Sequence, residues 1–102
     1  MASLLGRFFG RKPTAEHLTF TVYTRKQCGC CHKAIDVLEG FRARYGFRIE
    51  TVDVDDDPAL VALYDAEVPV VAVDGEVRFK GQVNPALLER LLTAEAARGA
   101  SE

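Results

Sequence analysis

All three cysteines of this chain fall within four consecutive positions, Cys28-Gly29-Cys30-Cys31, a C-x-x-C spacing with an additional thiol inside it. A helix places residues i and i+3 on one face, so Cys28 and Cys31 can pair without the closure of a long loop. A strand-like segment precedes the run and a helix-like segment follows it. The pattern indicates a thiol pair with a chemical role more than a structural bridge.

The length and composition describe a small globular protein. A chain of 102 residues is long enough for one domain with a modest core. Its 48% hydrophobic and 27% charged residues exclude wholesale disorder. No apolar run is long enough to span a bilayer, and the N-terminus lacks the uninterrupted apolar region of a secretory signal. We therefore expect a cytoplasmic protein, in which clustered thiols are more often catalytic or metal-binding than structural.

Charge is distributed unevenly along the chain. Residues 1–48 hold nine Lys/Arg and three Asp/Glu, a net charge of +6, while residues 49–102 hold four and twelve, a net charge of −8. The cysteines lie in the basic half. Because the basic residues are dispersed and the overall balance is acidic, we expect no nucleic-acid partner.

The chain divides into a domain and two tails. Residues 1–16 are basic and contain glycine, and we interpret them as a flexible N-terminal tail before a domain at 17–97 and a C-terminal tail at 98–102. Apolar residues of the first tail fall at helical spacing, namely Leu4, Leu5, Phe8 and Phe9. This spacing would suit a short amphipathic helix at a membrane surface or partner, but a frayed end is the simpler interpretation, and we expect no membrane partner.

Four segments carry strand signals. The predicted strands are residues 18–24, 47–54, 68–73 and 76–80. The inward face of the first strand is expected to comprise Leu18, Phe20 and Val22. Asp74-Gly75 is a strong signal for a two-residue hairpin between the last two strands. In the returning strand, Val77 and Phe79 are expected on one face.

Three segments carry helix signals. The predicted helices cover residues 32–45, 58–65 and 85–97. Gly46 is a suitable stop for the first helix. The pairs Asp57-Pro58 and Asn84-Pro85 each combine a helix-capping side chain with a proline in the first helical position. The predicted order of elements is therefore βαβ, helix, ββα.

This order resembles the thioredoxin superfamily, in which a first strand runs into a C-x-x-C at a helix start and a Val-Pro enters the third strand. The lengths of the predicted segments suit the compact glutaredoxin type, which lacks an additional N-terminal strand and helix. More narrowly, the runs Asp-Asp-Asp-Pro-Ala-Leu at 55–60 and Val-Pro-Val-Val at 68–71, with Tyr64 between them, are similar to a family of small glutaredoxin-like proteins. The resemblance covers about residues 18–94. It implies an α/β fold with a central four-stranded mixed sheet.

The position of the thiols suggests their roles. A helix N-terminus carries partial positive charge and unpaired amide donors, so a thiol there favours its thiolate, and Arg25, Lys26 and Lys33 add cationic field. Cys28, first and more exposed, is expected to be the nucleophile. Cys31, one turn deeper, is expected to resolve the mixed disulfide. We expect a thiol–disulfide oxidoreductase that needs no bound cofactor in its resting state.

The resemblance also implies a substrate-binding surface. In the superfamily the proline that corresponds to Pro69 has a cis peptide bond and faces the dithiol. The residue before it, here Val68, offers backbone groups to an extended substrate. Arg25 occupies a position where glutaredoxins usually have a lysine, and Arg25 and Lys26 are candidates for tuning the thiols or for binding substrate, including a glutathione carboxylate.

Other positions depart from the glutaredoxin pattern. The Gly-Gly, polar residue and Asp that hold glutathione are absent, and residues 80–84 read Lys-Gly-Gln-Val-Asn, closer to the ending of thioredoxin. The tryptophan of the thioredoxin active site is absent too. The expected partners are disulfide-containing proteins or glutathione together with a reductase system, and the electron source stays open between glutathione and a protein dithiol. We expect a monomer.

Cys30 permits an alternative. Its thiol could shuffle the disulfide, resolve it, or ligate a metal together with Cys28 and Cys31. Consecutive helical side chains point in different directions, so one ion would not collect all the donors of this run, including His32. Gly29 after the first cysteine fits glutaredoxins that hold a [2Fe-2S] cluster between two subunits with glutathione. The alternatives to an oxidoreductase are therefore a metal or cluster-binding module and a non-catalytic adaptor.

Overall fold

The alternating segments fold as strands of one mixed sheet, and the segments with helical spacing fold as helices packed against it. The computed structural model describes residues 14–100. The strands are β1 (Thr19–Thr24), β2 (Arg48–Asp53), β3 (Val70–Val73) and β4 (Glu76–Lys80). The helices are α1 (Gly29–Tyr45), α2 (Pro58–Tyr64) and α3 (Pro85–Ala100), and 3₁₀ turns at Val54–Asp56 and Asp65–Glu67 flank α2. The predicted order of elements is confirmed.

The strand order is β2-β1-β3-β4. β1 and β2 are parallel with Thr24 opposite Asp53, while β3 runs antiparallel to β1 with Val70 opposite Tyr23. The carboxyl ends of β1 and β2 therefore lie at the same edge as the start of β3. β4 is antiparallel to β3 and returns to that edge, with Lys80 opposite Val70. We call this edge the dithiol end of the sheet, because β1 leads there into the cysteines.

The main core lies between one face of the sheet and the helices α1 and α3. Phe20 and Val22 of β1 lie opposite Val73 and Val71 of β3, so these side chains share a face. The predicted inward face of β1 is confirmed, since all three of its residues are buried. The core on this side includes Leu18, Phe20, Val22, Ala34, Leu38, Phe47, Val71, Val73, Phe79, Leu88, Leu91 and Leu92.

The short helix α2 packs against the opposite face. Tyr23 of β1 alternates with Val22 and so points to the other side of the sheet, where its ring lies 4.9 Å from the ring of Tyr64. Tyr64 is half-buried, and Leu63 beside it is 62% exposed. This contact anchors α2 near the dithiol end of the sheet.

The returning strand β4 differs from its predicted pattern. A bulge shifts the register so that Phe79 pairs with Val71, whereas Val77 pairs with Ala72, the next residue of β3. Adjacent residues of β3 point to opposite faces, so Val77 and Phe79 do not share the core face. Phe79 is buried, but Val77 is 37% exposed. The prediction that both share one face was wrong, because the bulge inserts one extra residue between them.

The predicted turns and stops are confirmed. Asp74 and Gly75 both adopt positive φ, at 49° and 88°, as the tight hairpin between β3 and β4 requires. Gly46 ends α1 at φ 81° and donates its N–H to the carbonyl of Arg42. The Asp57 carboxylate accepts from the N–H of Ala59 at the start of α2.

Some contacts and helices extend past the ranges predicted for them. Ala15, placed in the tail from sequence, is fully buried, and its N–H donates to the carbonyl of Tyr45. α1 begins at Gly29 and not at His32, and α3 continues to Ala100. The proposed amphipathic stretch at residues 4–9 lies outside the described residues. Within residues 14–100, no helix has the length and hydropathy needed to cross a membrane.

Candidate active site

Cys28 is the N-cap of α1, as predicted. Its backbone is extended, with φ −107° and ψ 105°, and its Sγ accepts a hydrogen bond from the N–H of Cys31 at 3.2 Å. The first N–H groups of a helix have no partner within the helix and carry partial positive charge. A sulfur held in this position is stabilised as the thiolate when the disulfide is reduced.

Cys28 and Cys31 form a disulfide, and their Cα atoms lie 5.2 Å apart. Cys31 is only 2% exposed, whereas Cys28 is partly exposed. An approaching thiol or disulfide therefore reaches the sulfur of Cys28 before that of Cys31. The roles expected from sequence, nucleophile for Cys28 and resolving thiol for Cys31, stay predictions.

The turn into the helix contains a residue in an uncommon conformation. Gln27 has φ 57°, in the left-handed region that non-glycine residues rarely occupy. Gln27 directly precedes Cys28, so this backbone conformation directs the chain from β1 into the extended N-cap. Glutamine gives no sequence signal for such a conformation, and the sequence predicted only a polar turn here.

Val68 and Pro69 lie at the dithiol end, just before β3. The peptide bond between them is cis, as the resemblance implied. Pro69 is buried and Val68 is partly exposed. The N–H of Gly81 donates to the carbonyls of Glu67 and Pro69, on either side of Val68. Among residues 14–100, the backbone N–H and C=O of Val68 have no hydrogen-bond partner.

Arg25, three residues before Cys28, is held by two carboxylates. Its Nε and Nη2 donate to the two carboxylate oxygens of Asp55 at 3.0 and 2.9 Å. Its Nη2 lies 3.1 Å from Oδ1 of Asp65, and its Nη1 donates to the Asp65 backbone carbonyl at 3.2 Å. The guanidinium thus links the turn after β1 to the 3₁₀ turns on both sides of α2.

This ion pair changes the titration of both partners. The hydrogen bond from Arg25 lowers the pKa of the Asp55 carboxyl below its ordinary value, and the positive charges of Arg25 and Lys26 lower it further. Hydrogen bonds to Asp55 and Asp65 raise the pKa of Arg25. Asp55 is therefore a carboxylate, and Arg25 a guanidinium, across the range in which thiols exchange.

The remaining predicted site residues are exposed. Lys26 follows Arg25 in the turn, and Lys33 lies in the second turn of α1. The thiol of Cys30 is free and exposed on α1. His32 is exposed as well.

The predicted metal alternative receives no geometric support from the described part of the chain. Cys28 and Cys31 are joined to each other, and Cys30 is exposed beside them. Between residues 14 and 100, no group of three or more His, Cys, Asp or Glu side chains is arranged to hold a metal ion. The [2Fe-2S] alternative, which would be held between two subunits with glutathione, stays a prediction.

Asp55 and Asp65 were missed as site residues. The sequence analysis used the acidic run at 55–57 only for the helix cap at Asp57 and for the family resemblance, and acidic residues at a helix start also suit the helix dipole. The available signal was the strand order, because parallel pairing of β1 and β2 places the residues after Thr24 beside those after Asp53. Asp65 gave no such signal, since it follows a short helix whose direction is set by tertiary packing.

The comparisons with known proteins agree with this geometry. The model of the family described as "Glutaredoxin-like domain (DUF836)" matches residues 19–93, which include the dithiol and all four strands. The chain belongs to this glutaredoxin-like family. No curated protein matches the chain.

Solved structures place this glutaredoxin-like protein in the thioredoxin fold. A protein from X. campestris, XcR50, is 31% identical, with a TM-score of 0.61 over 74% of this chain and 96% of that chain. A mutant thioredoxin from Halobacterium salinarum is 23% identical, with a TM-score of 0.58 over 78% of this chain and 74% of that one. Oxidised mitochondrial thioredoxin 3 from Saccharomyces cerevisiae is 17% identical, with a TM-score of 0.56 over 91% and 89%. At these identities, the two thioredoxins show the fold alone.

Proposed function

We propose that this glutaredoxin-like protein is a thiol–disulfide oxidoreductase that reduces disulfides by dithiol exchange. The observation that carries the proposal is the Cys28–Cys31 disulfide itself, with one sulfur capping a helix and partly exposed and the other buried one turn behind it. An exchanging dithiol needs an exposed sulfur at a helix N-terminus, whereas a structural bridge does not.

The reaction has two exchange steps. In the reduced protein, the Cys28 thiolate attacks one sulfur of the substrate disulfide, which forms a mixed disulfide and releases one substrate thiolate. The Cys31 thiolate then attacks the Cys28 sulfur, which forms the Cys28–Cys31 disulfide and releases the second substrate thiolate. Two electrons pass to the substrate, and its two thiolates take up the protons that the two cysteines lost. An external thiol reductant restores the dithiol.

The start of β3 supplies a surface for the substrate. An extended peptide segment can place one of its residues beside Val68, whose backbone N–H and C=O are free to pair with it in the manner of an added strand. Pro69 has no N–H and so presents no competing donor beside this position.

Disulfide reduction by cysteine variants tests the proposal. We expect the wild-type protein to catalyse the reduction of insulin by dithiothreitol. Cys28→Ser should abolish this activity because the attacking thiolate is removed, whereas the matched Cys30→Ser should retain most of it. Loss of activity in Cys30→Ser with retention in Cys28→Ser would reject the assignment.

A further inference from the structure

The groups around the dithiol differ in their ability to bind an anion, and this bears on which disulfide the protein reduces. Glutathione carries two carboxylates, so a site that recognises it needs hydrogen-bond donors or cations that are free to receive them. At the dithiol end, the two fixed candidates are the guanidinium of Arg25 and the N-terminus of α3. α3 begins a few residues after Lys80, which lies opposite Val70 at this edge.

Arg25 has little capacity left for an anionic ligand. A guanidinium has five N–H donors. Two of them bind the Asp55 carboxylate and a third binds the Asp65 carbonyl, while Nη2 also lies 3.1 Å from the Asp65 carboxylate. A carboxylate that binds as a fork needs two donors, and it would also approach two fixed carboxylates of like charge.

The N–H groups at the start of α3 are also bound within the chain. The side-chain oxygen of Asn84 accepts from the N–H groups of Ala86 and Leu87 at 2.9 and 3.2 Å. The backbone carbonyl of Asn84 accepts from Leu88, and Pro85 has no N–H. The first turn of α3 therefore presents no free donor to an anion among the described residues. Of the cations nearby, Lys80 is paired with Glu67 at 3.2 Å.

The groups that remain free suit an uncharged backbone. Val68 offers one N–H and one C=O, which together match an extended peptide and recognise no charge. Lys26 and Lys33 are exposed ammonium groups on flexible stems, which attract an anion without fixing its orientation.

We propose that the physiological substrate is a disulfide carried by an extended segment of a protein. Glutathione mixed disulfides are poor substrates, because the donors of Arg25 and of the α3 N-terminus are already bound to groups of the chain itself. This inference rests on the proposed function and specifies its substrate class. The exchange steps are those given above, and the reductant that restores Cys28 and Cys31 is a dithiol, supplied in vitro by dithiothreitol.

A matched pair of substrates tests this selectivity. One reporter peptide is joined by a disulfide either to glutathione or to a capped, uncharged tripeptide with a central cysteine, and dithiothreitol recycles the protein in both assays. We expect kcat/KM for the tripeptide disulfide to be higher by about tenfold or more, because a glutathione carboxylate would approach Asp55 and Asp65 with no free donor to pair with, the cost of an unsatisfied charged group. Equal or higher kcat/KM for the glutathione disulfide would overturn the inference and leave the proposed function intact. Absence of catalysis on both substrates would instead reject the proposed function.

A pair of variants tests the reason for the selectivity. Asp55→Ala releases two donors of Arg25, and we expect it to shift the ratio of kcat/KM values towards glutathione by about two- to fivefold, mainly through a lower KM. Asp56→Ala removes the same charge from the adjacent exposed position without freeing Arg25 and should leave the ratio unchanged. The ratio compares two substrates in one preparation, so partial unfolding of a variant cancels. An equal shift in both variants, or none in Asp55→Ala, would overturn the explanation.

Discussion

Arg25 lies three residues before Cys28, and its guanidinium forms ion pairs with two carboxylates of its own chain. Asp55 and Asp65 surround its guanidinium, so the side chain connects the turn before Cys28 to the segments around α2. The connection is a charge-assisted fork, which fixes orientation better than a lysine would. The residue therefore positions the turn that leads into Cys28.

The lowered pKa of Asp55 gives this ion pair a pH signature. A carboxyl with a lower pKa in the folded state stabilises the fold above its ordinary pKa and loses that contribution as the pH falls through the folded value. We expect Asp55→Asn to lower the urea midpoint relative to wild type at neutral pH. The difference should shrink as the pH falls below about 4.

Denaturation at several pH values measures this difference. Asp56→Asn serves as the control, because Asp56 is exposed and does not contact Arg25. A difference for Asp55→Asn that persists undiminished at the lowest pH would show that the carboxylate charge is not its cause.

At the residue scale, the sequence predicted what depends on local spacing. Cys28 and Cys31 were placed correctly because a helix start and a three-residue separation suffice to define them. The partners of Arg25 were not predicted, because Asp55 and Asp65 are 30 and 40 residues away along the chain. Their proximity follows from strand order and from the packing of α2, which no local pattern encodes.

At the scale of elements, the ends of helices and hairpins carry the clearest sequence signals. Each signal, a capping side chain followed by proline or an Asp-Gly pair, acts through a hydrogen bond or dihedral angle within a few residues. The caps at Asp57 and Asn84 and the hairpin at Asp74 were predicted for this reason. Gln27 and the bulge before Phe79 were not, because tertiary contacts impose them on residues without a local preference.

The cap of α3 provides a test at this scale. Asn84→Ala removes the acceptor for the N–H groups of Ala86 and Leu87. We expect a loss of about 1 kcal/mol in the free energy of unfolding. Gln82→Ala, two residues earlier and exposed, is the matched control and should change stability by less than about 0.5 kcal/mol. Chemical denaturation of both variants provides the measurement, and equal losses would argue against the capping role.

At the scale of the whole molecule, the main core and the candidate site lie in different parts of the fold. The main core fills the space between the sheet and the helices α1 and α3, and α1 connects the two regions because its first turn holds Cys31. The dithiol end is assembled from segments that are distant in sequence and that meet because β1, β2 and β3 end or begin there. The hydrophobic pattern predicted the core, whereas the arrangement of the site required the strand order.

A buried and an exposed leucine test the position of the core. Leu38 of α1 is fully buried, whereas Leu63 of α2 is 62% exposed. We expect Leu38→Ala to lower the free energy of unfolding by about 2–5 kcal/mol, since it leaves a cavity. Leu63→Ala should change it by less than about 0.5 kcal/mol. Urea denaturation distinguishes the two, and similar losses would contradict the packing described.

If Cys28 attacks and Cys31 resolves, the mixed disulfide accumulates at Cys28 when Cys31 is replaced. The reduced Cys31→Ser variant is mixed with a disulfide-bonded peptide, digested under non-reducing conditions and mapped by mass spectrometry. We expect one peptide attached to Cys28 in this variant, and no such adduct at Cys28 in the wild-type protein, where Cys31 displaces it. A peptide attached to Cys30 instead, or a variant with neither an adduct at Cys28 nor a Cys28–Cys30 disulfide, would show that Cys28 does not attack.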